Sequence, residues 1–415
     1  TGTVSSGTIA STVYVTFYSG ADLSGGVVTP DSSSYNSGSS SGGNASYRGY
    51  YNYSCGYYYY STCTSYQPIY TNSMTVAGGE VTVYSSYGPS GSGTTFGIGN
   101  WNLSAFGGAV PSYVATNGST PATFAISAGL GSITLGSTIG ASRSLLSLNL
   151  ASSTEISLNG NISTLKSQTY TGPVLLASAI TLATTNSSAN PTGATYNTSD
   201  DITFTSTVNS TNSTARNLTV ATGFGDITFS GAVGGVQPLS TVALTSTGST
   251  TFSGSVNASV FSQAGTTGTT ILQGGGITTT SAQTYGNNVS LRVQDVTLTA
   301  STVTLNGTLS GAYGLVVNGN AVFGNEDSDR ITLSGTNKAL TVTGNTSIYT
   351  DSISTSGVQT YGDSTADAIS LYTTTNLSTA SANKDISFNG TLNSATSAAK
   401  GLTISTGSGA VSFGA

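Results

Sequence analysis

Fifteen carboxylates and no histidine set the chemistry open to this 415-residue chain. Without histidine, Ser-His-Asp and Cys-His nucleophilic systems are excluded, as are histidine-based metal sites. No Gly-x-x-x-x-Gly-Lys phosphate loop occurs. Acid/base work would therefore fall to carboxylates, and these cluster twice. Asp200 and Asp201 are neighbours, so in a strand they face opposite sides and make a poor catalytic pair. Glu326-Asp327-Ser328-Asp329-Arg330 is the densest group. Its oxygens suit a hard cation, but their spacing is not that of a calcium loop, and a charged turn between strands is the simpler reading. Neither cluster predicts an enzyme, a cofactor or a metal.

Two cysteines, Cys55 and Cys63, lie close together in a Tyr/Ser-rich segment. In an extracellular chain this spacing predicts a local disulfide; two cysteines alone do not complete a zinc shell. Residues 47–70 also hold ten tyrosines, including the run Tyr57, Tyr58, Tyr59 and Tyr60. Tyrosines pack into a small cap, form subunit contacts or stack on sugars, and all three readings are open here. Sixteen Asn-x-Ser/Thr triplets occur, among them those at Asn44, Asn102, Asn161, Asn217, Asn306 and Asn389. They are candidate glycosylation positions in a chain whose abundant Ser and Thr also create the triplet by chance.

Charged residues make up only 6%, with nine Lys and Arg against a net charge of −6. The usual charged share is about a quarter. Nucleic-acid binding needs a basic footprint, which is missing. No apolar run approaches the roughly 18 residues of a membrane helix, so no membrane span is expected.

The elements that must carry these residues are short strands. From about residue 121, phrases of the form apolar-Thr-apolar recur between Gly, Asn and Ser turns: Ser132-Ile-Thr-Leu135, Ala179-Ile-Thr-Leu182, Ile227-Thr-Phe229, Ile331-Thr-Leu333. Residues two apart share a face of a strand, so the apolar pair points inward and the Thr outward. Helix signals are nearly absent. Longer phrases also repeat. Segments 201–229 and 385–413 align without a gap and agree at 14 of 29 positions, and Gln-Thr-Tyr appears at 168–170, 283–285 and 359–361. Units that cannot bury their own apolar face must stack on neighbours. The spacings of the Gln-Thr-Tyr phrases, 115 and 76 residues, lie near multiples of 19. They predict an all-β parallel β-helix, or β-solenoid, of some 15 turns and roughly 70 Å over residues 121–415. Residues 1–120 read as a separate Tyr/Ser/Gly-rich β region without internal repeats.

Gly225-Asp-Ile-Thr-Phe-Ser-Gly-Ala-Val-Gly-Gly235 and Gly276-Ile-Thr-Thr-Thr-Ser-Ala-Gln-Thr-Tyr-Gly286 resemble the repeats of large bacterial exoproteins of the filamentous haemagglutinin type. The resemblance covers about 125–415. It implies a secreted right-handed parallel β-helix, displayed extracellularly or at the cell surface and used for adhesion or biofilm structure. Residues 1–120 do not resemble the secretion domain of that family.

The expected function is thus a non-enzymatic structural or adhesive surface protein whose partners are cell-surface or matrix glycans. The alternative is a filament subunit. Gly409–Ala415 matches Gly225–Gly231, which runs on into further strands, so the last rung is expected to continue in a longer protein or to be completed by another molecule. An N-terminal strand with alternating Thr12, Val13, Val15 and Phe17 can pair with the edge carrying Val411 and Phe413 by strand addition. A third reading, a polysaccharide-binding or -degrading β-helix, requires several carboxylates to converge in one groove.

Overall fold

The computed structural model describes residues 123–141, 144–184, 200–265, 267–379 and 381–414 in full, and the backbone of twelve strands between Tyr14 and Thr116. Chain contacts divide the protein into two compact units, one spanning 7–122 and the other running on from Thr123.

The strands of the first unit pair antiparallel. Tyr14–Tyr18, which contains Val15 and Phe17, is hydrogen-bonded to Ser73–Ala77, and its Phe17–Tyr18 end also to Val27–Val28. The strand expected to add to the Val411–Phe413 edge is thus paired along its length on one side and at Phe17–Tyr18 on the other. Gly49–Ser54 and Thr62–Gln67 form an antiparallel pair that sets Tyr53 opposite Cys63. Cys55, Tyr57–Tyr60, Thr12, Val13 and Asn44 lie outside the described residues, and with them the expected disulfide; Asn102 is in the strand Gly99–Asn102.

From Thr123 onward the chain winds as a parallel β-solenoid of about 12 turns, and the described residues contain no helix. Each turn, or coil, contributes a strand to three faces. Face A is one unbroken sheet of 13 strands, from Thr123–Ser127 to Leu402–Ser405. Face B begins at Ile133–Leu135 and ends at Val411–Phe413; face C runs from Ile162–Thr164 to Thr391–Ser394. In mid-solenoid, long strands such as Val256–Gln263 and Leu315–Phe323 bend round the corner between B and C and join these faces into one sheet.

The apolar-Thr-apolar phrases do what their period dictates. Ile202 and Phe204 are fully buried with Thr203 between them half-buried, and the same pattern recurs along all three faces. Stacked coils place like residues over like. Tyr170, Phe204, Phe229 and Phe252 form a file inside face A, with rings 4.9, 4.8 and 5.1 Å apart and nearly parallel. Tyr361, Phe388 and Phe413 form another inside face B. Each fully buried large side chain contributes roughly 1.5–3 kcal/mol, which only the neighbouring coil makes available.

The pitch differs from the expected 19 residues. Aligned positions are eighteen residues apart between Ile156 and Val174 and twenty-seven between Leu377 and Ile404. The mean from Phe124 to Ile404 is about 23, and twelve coils at the ~4.8 Å inter-strand spacing give a rod of about 58 Å. The error came from treating the repeats as whole turns. Gln168 is on face A, Gln283 on face C and Gln359 on face B. The long repeat is offset in the same way: Ile202 lies on face A, whereas its counterpart Ile386 lies on face B. The sequence thus repeats in units of one side, and copies land on different faces.

Candidate functional site

At the corners, polar side chains recur as local cassettes. Ile162-Ser-Thr-Leu-Lys-Ser-Gln-Thr-Tyr170, Ile277-Thr-Thr-Thr-Ser-Ala-Gln-Thr-Tyr285 and Ile353-Ser-Thr-Ser-Gly-Val-Gln-Thr-Tyr361 turn the C–A, B–C and A–B corners respectively. In each, the buried Tyr hydroxyl donates to the Gln Oε1, at 2.7, 3.0 and 2.9 Å. The Gln Nε2 then donates across the corner to the carbonyl of the Ile six residues earlier and to a carbonyl of the next coil. A corner exposes backbone carbonyls to the core, and one long amide satisfies them. Burial pushes the hydroxyls of Tyr170, Tyr285 and Tyr361 well above the usual tyrosine range.

The carboxylates are used in the same manner. In the 326–330 cluster, Asp329 is buried and its Oδ2 accepts the N–H groups of Asn325 and Glu326, so it closes the loop rather than facing solvent. Asp367 closes the loop after Gly362 identically, with Asp363 and Ser364 as donors. Both loops follow a glycine in the left-handed region, Gly324 at φ 78° and Gly362 at φ 80°. Glu326 and Asp327 are exposed, and Arg330 pairs with Asp351 of the next coil at 3.0 Å. Among the described residues no group of three potential metal ligands comes together.

Asp200 and Asp201 do separate, the first buried and the second half-buried. Stacking adds a neighbour that adjacency in sequence hides: the Asp226 N–H donates to Asp201 Oδ1 at 2.8 Å, and the Ser249 N–H donates to Asp226 Oδ1 at 2.7 Å. Burial raises the Asp201 pKa, the Asp226 N–H lowers it, and the neighbouring Asp226 and Asp200 charges raise it further. This is a ladder of side chains that tie each coil to the next.

Asn161 belongs to the same class. It is exposed, and its Oδ1 accepts the Thr181 N–H at 2.8 Å. Asn389 donates through Nδ2 to the Gly362 carbonyl at 2.9 Å, a bond with which N-linked attachment would compete. Asn217 is exposed just before its strand, and Asn306 is half-buried in a turn. Val411 and Phe413 are 41% and 60% exposed, and Phe413 stacks on Phe388 at 5.2 Å.

Two surface features stand out, of which the first follows from the outward Thr of the strand phrases and the second was not singled out from the sequence. On face A the central outward position is Thr169, Thr203, Thr228 and Thr251, then Ile271, then six consecutive Ser or Thr residues from Ser290 to Ser405. The second is a pair of tyrosines on the C–A corner. Tyr349 and Tyr372, on successive coils, stack with ring centroids 4.0 Å apart and an interplanar angle of 13°. Both are half-buried. Desolvation, and then the adjoining Tyr372 hydroxyl, hold the Tyr349 pKa above its ordinary value. The phrase Ser347-Ile-Tyr-Thr350 recurs as Ser370-Leu-Tyr-Thr373, and the coil register superimposes the two copies.

No known family model matches this chain, and neither a curated protein nor a solved structure is similar to it. Among the described residues no helix is long and apolar enough to cross a membrane.

Proposed function

We propose that the solenoid is a stiff, non-enzymatic extracellular rod that serves as a structural or adhesive surface element. The observation that carries this reading is the uninterrupted 13-strand ladder of face A. Thirteen parallel strands hydrogen-bonded in series, over a continuous file of buried side chains, make a rod that resists bending and presents its outer faces at fixed spacing. The carboxylates support the same reading, because Asp201, Asp226, Asp329 and Asp367 accept corner N–H groups instead of converging on an open groove. The hydroxyl-rich outer file of face A offers many weak polar contacts, as an adhesive surface requires. The likeness of 225–235 and 276–286 to haemagglutinin-type repeats is consistent with this role.

The filament reading rests on the edge at Val411–Phe413, which any further coil, of this chain or another, would cover.

Electron microscopy combined with bead retention tests the proposal. Rods about 58 Å long over the solenoid, and retention of protein-coated beads on a cell-derived matrix under flow, are the expected results. Release of reducing ends from a polysaccharide, abolished in Asp201→Asn, would replace the rod reading with an enzymatic one.

A further inference from the structure

The Tyr349–Tyr372 pair is a ledge with one open end. Along the C–A corner the position below Tyr349 is Gly324, aligned through the bond from the Tyr349 N–H to the Phe323 carbonyl. The position above Tyr372 is Ala395, aligned in the same way by its N–H on the Leu371 carbonyl. Gly324 is buried at the start of a loop whose Asp327 carbonyl accepts the Asp351 N–H, so the lower end is closed; Ala395 is exposed, and its methyl leaves the outer face of Tyr372 no large side chain to pack on. Elsewhere in the solenoid, aromatic files such as Tyr170–Phe204–Phe229–Phe252 are internal and continue from coil to coil. Here the file is external and stops after two rings.

The surroundings are polar. Asp351, two residues beyond Tyr349 in the same coil, forms a half-exposed ion pair with Arg330, which supplies N–H donors and carboxylate acceptors near the stack. Glu326 and Asp327 are exposed on the adjoining loop, and neither pairs with a cation among the described residues. A flat aromatic face, fixed donors and acceptors at its edge and an excess of negative charge suit a ligand with an apolar flat face, hydroxyls around its perimeter and no anionic group. A β-linked neutral hexose chain has that form: its axial C–H groups make the flat face and its equatorial hydroxyls point outward.

The geometry points to the Tyr349–Tyr372 ledge as a binding subsite for neutral β-linked glycans. This deepens the adhesive reading, on which it rests, by assigning it a site and a ligand class. Stacking on the outer face of Tyr372, which Tyr349 backs, supplies the affinity, and the Arg330–Asp351 pair selects hydroxyls. The exposed carboxylates reject polyanions.

The test is calorimetric titration of the full chain with cellohexaose, and with an oligogalacturonate of equal length. Saturable cellohexaose binding is expected, with no measurable binding of the uronate. Tyr349→Ala and Tyr372→Ala should each weaken cellohexaose about tenfold or more. Ala395→Trp keeps both tyrosines but covers the outer face of Tyr372, and since Ala395 is exposed this substitution leaves the core untouched; it should weaken binding in parallel. The proposal is overturned if the wild-type chain gives no cellohexaose binding, if all three variants bind like wild type, or if the uronate binds as well as the glucan. Bead retention separates this from the broader reading. Retention that survives both tyrosine variants, without cellohexaose binding, leaves the adhesive rod and removes the ledge. Cellohexaose binding with no bead retention does the reverse.

Discussion

The coil 202–229 and the coil 386–413 have closely related sequences and opposite surroundings. Ile202, Phe204, Ile227 and Phe229 are fully buried on face A, with coils on both sides. Their counterparts start on face B, where Ile386 and Phe388 are buried but Val411 and Phe413 are not. The comparison separates what the sequence encodes from what stacking supplies. The sequence encodes a side and a corner, and the three faces accept them interchangeably. Burial comes from the next coil.

The sharpest way to break this comparison is at the matched aromatics. Phe229→Ala should cost about 3–5 kcal/mol, because the stack leaves a cavity that cannot collapse, whereas Phe413→Ala should cost less than about 1 kcal/mol. Urea unfolding of the two variants measures the difference, and equal losses would mean that the outer coil is as well packed as the inner one. The interchangeability of faces can be examined by pH. Tyr170, Tyr285 and Tyr361 each stand on a different face, and folding holds each pKa well above the ordinary value. Above about pH 10 the unfolded chain releases protons that the rod retains, so stability falls as pH rises, by about 1 kcal/mol per tyrosine near pH 11. Ultraviolet titration should show these three rings ionising together, at the unfolding transition; one ring titrating early would single out a loosened corner.

An effect smaller than that of Phe229→Ala is expected at the corner amides. Gln168→Leu, Gln283→Leu and Gln359→Leu each strand a tyrosine hydroxyl and corner carbonyls, and each should destabilise by about 2–3 kcal/mol, alike on all three corners. Gln263 provides the contrast. It sits on face C between Leu244 and Tyr285, fully buried, and neither amide atom has a hydrogen-bond partner among the described residues. Gln263→Leu should therefore raise stability by about 1 kcal/mol, readable as a higher denaturation midpoint. A loss of stability at Gln263 would show that this amide is satisfied in solution.

These cases also show what could be read in advance. The strands were legible because apolar-Thr-apolar has the period of a strand, and Ile202-Thr-Phe204 or Ile331-Thr-Leu333 fits no helix. The solenoid was legible because the phrases recur. The pitch was not: a motif that reappears on a different face is separated from its copy by a fractional number of turns, and corners of unequal length blur the remainder. Asp226 beside Asp201, and Tyr372 beside Tyr349, were illegible for a related reason. Their partners are 25 and 23 residues away, and although Asp201-Ile-Thr-Phe204 recurs at Asp226 and Ser347-Ile-Tyr-Thr350 recurs as Ser370-Leu-Tyr-Thr373, other repeated phrases fall on different faces, so recurrence alone does not mark which copies superimpose. The 326–330 cluster was read correctly as a turn, although its physical cause, Asp329 capping two N–H groups from inside, was visible only in three dimensions.

The equivalence of the corners has a consequence for how such a chain can vary. Inserting or removing one side with its corner does not sever the ladder; it indexes everything beyond the edit by one face, like a cylinder advanced one position. The Tyr349–Tyr372 ledge would then look out in a new direction relative to the coils before it, with its own stacking intact. Length changes in this rod are therefore also changes of azimuth. A population of such chains could aim the same external feature in any of three directions without altering a single contact within it.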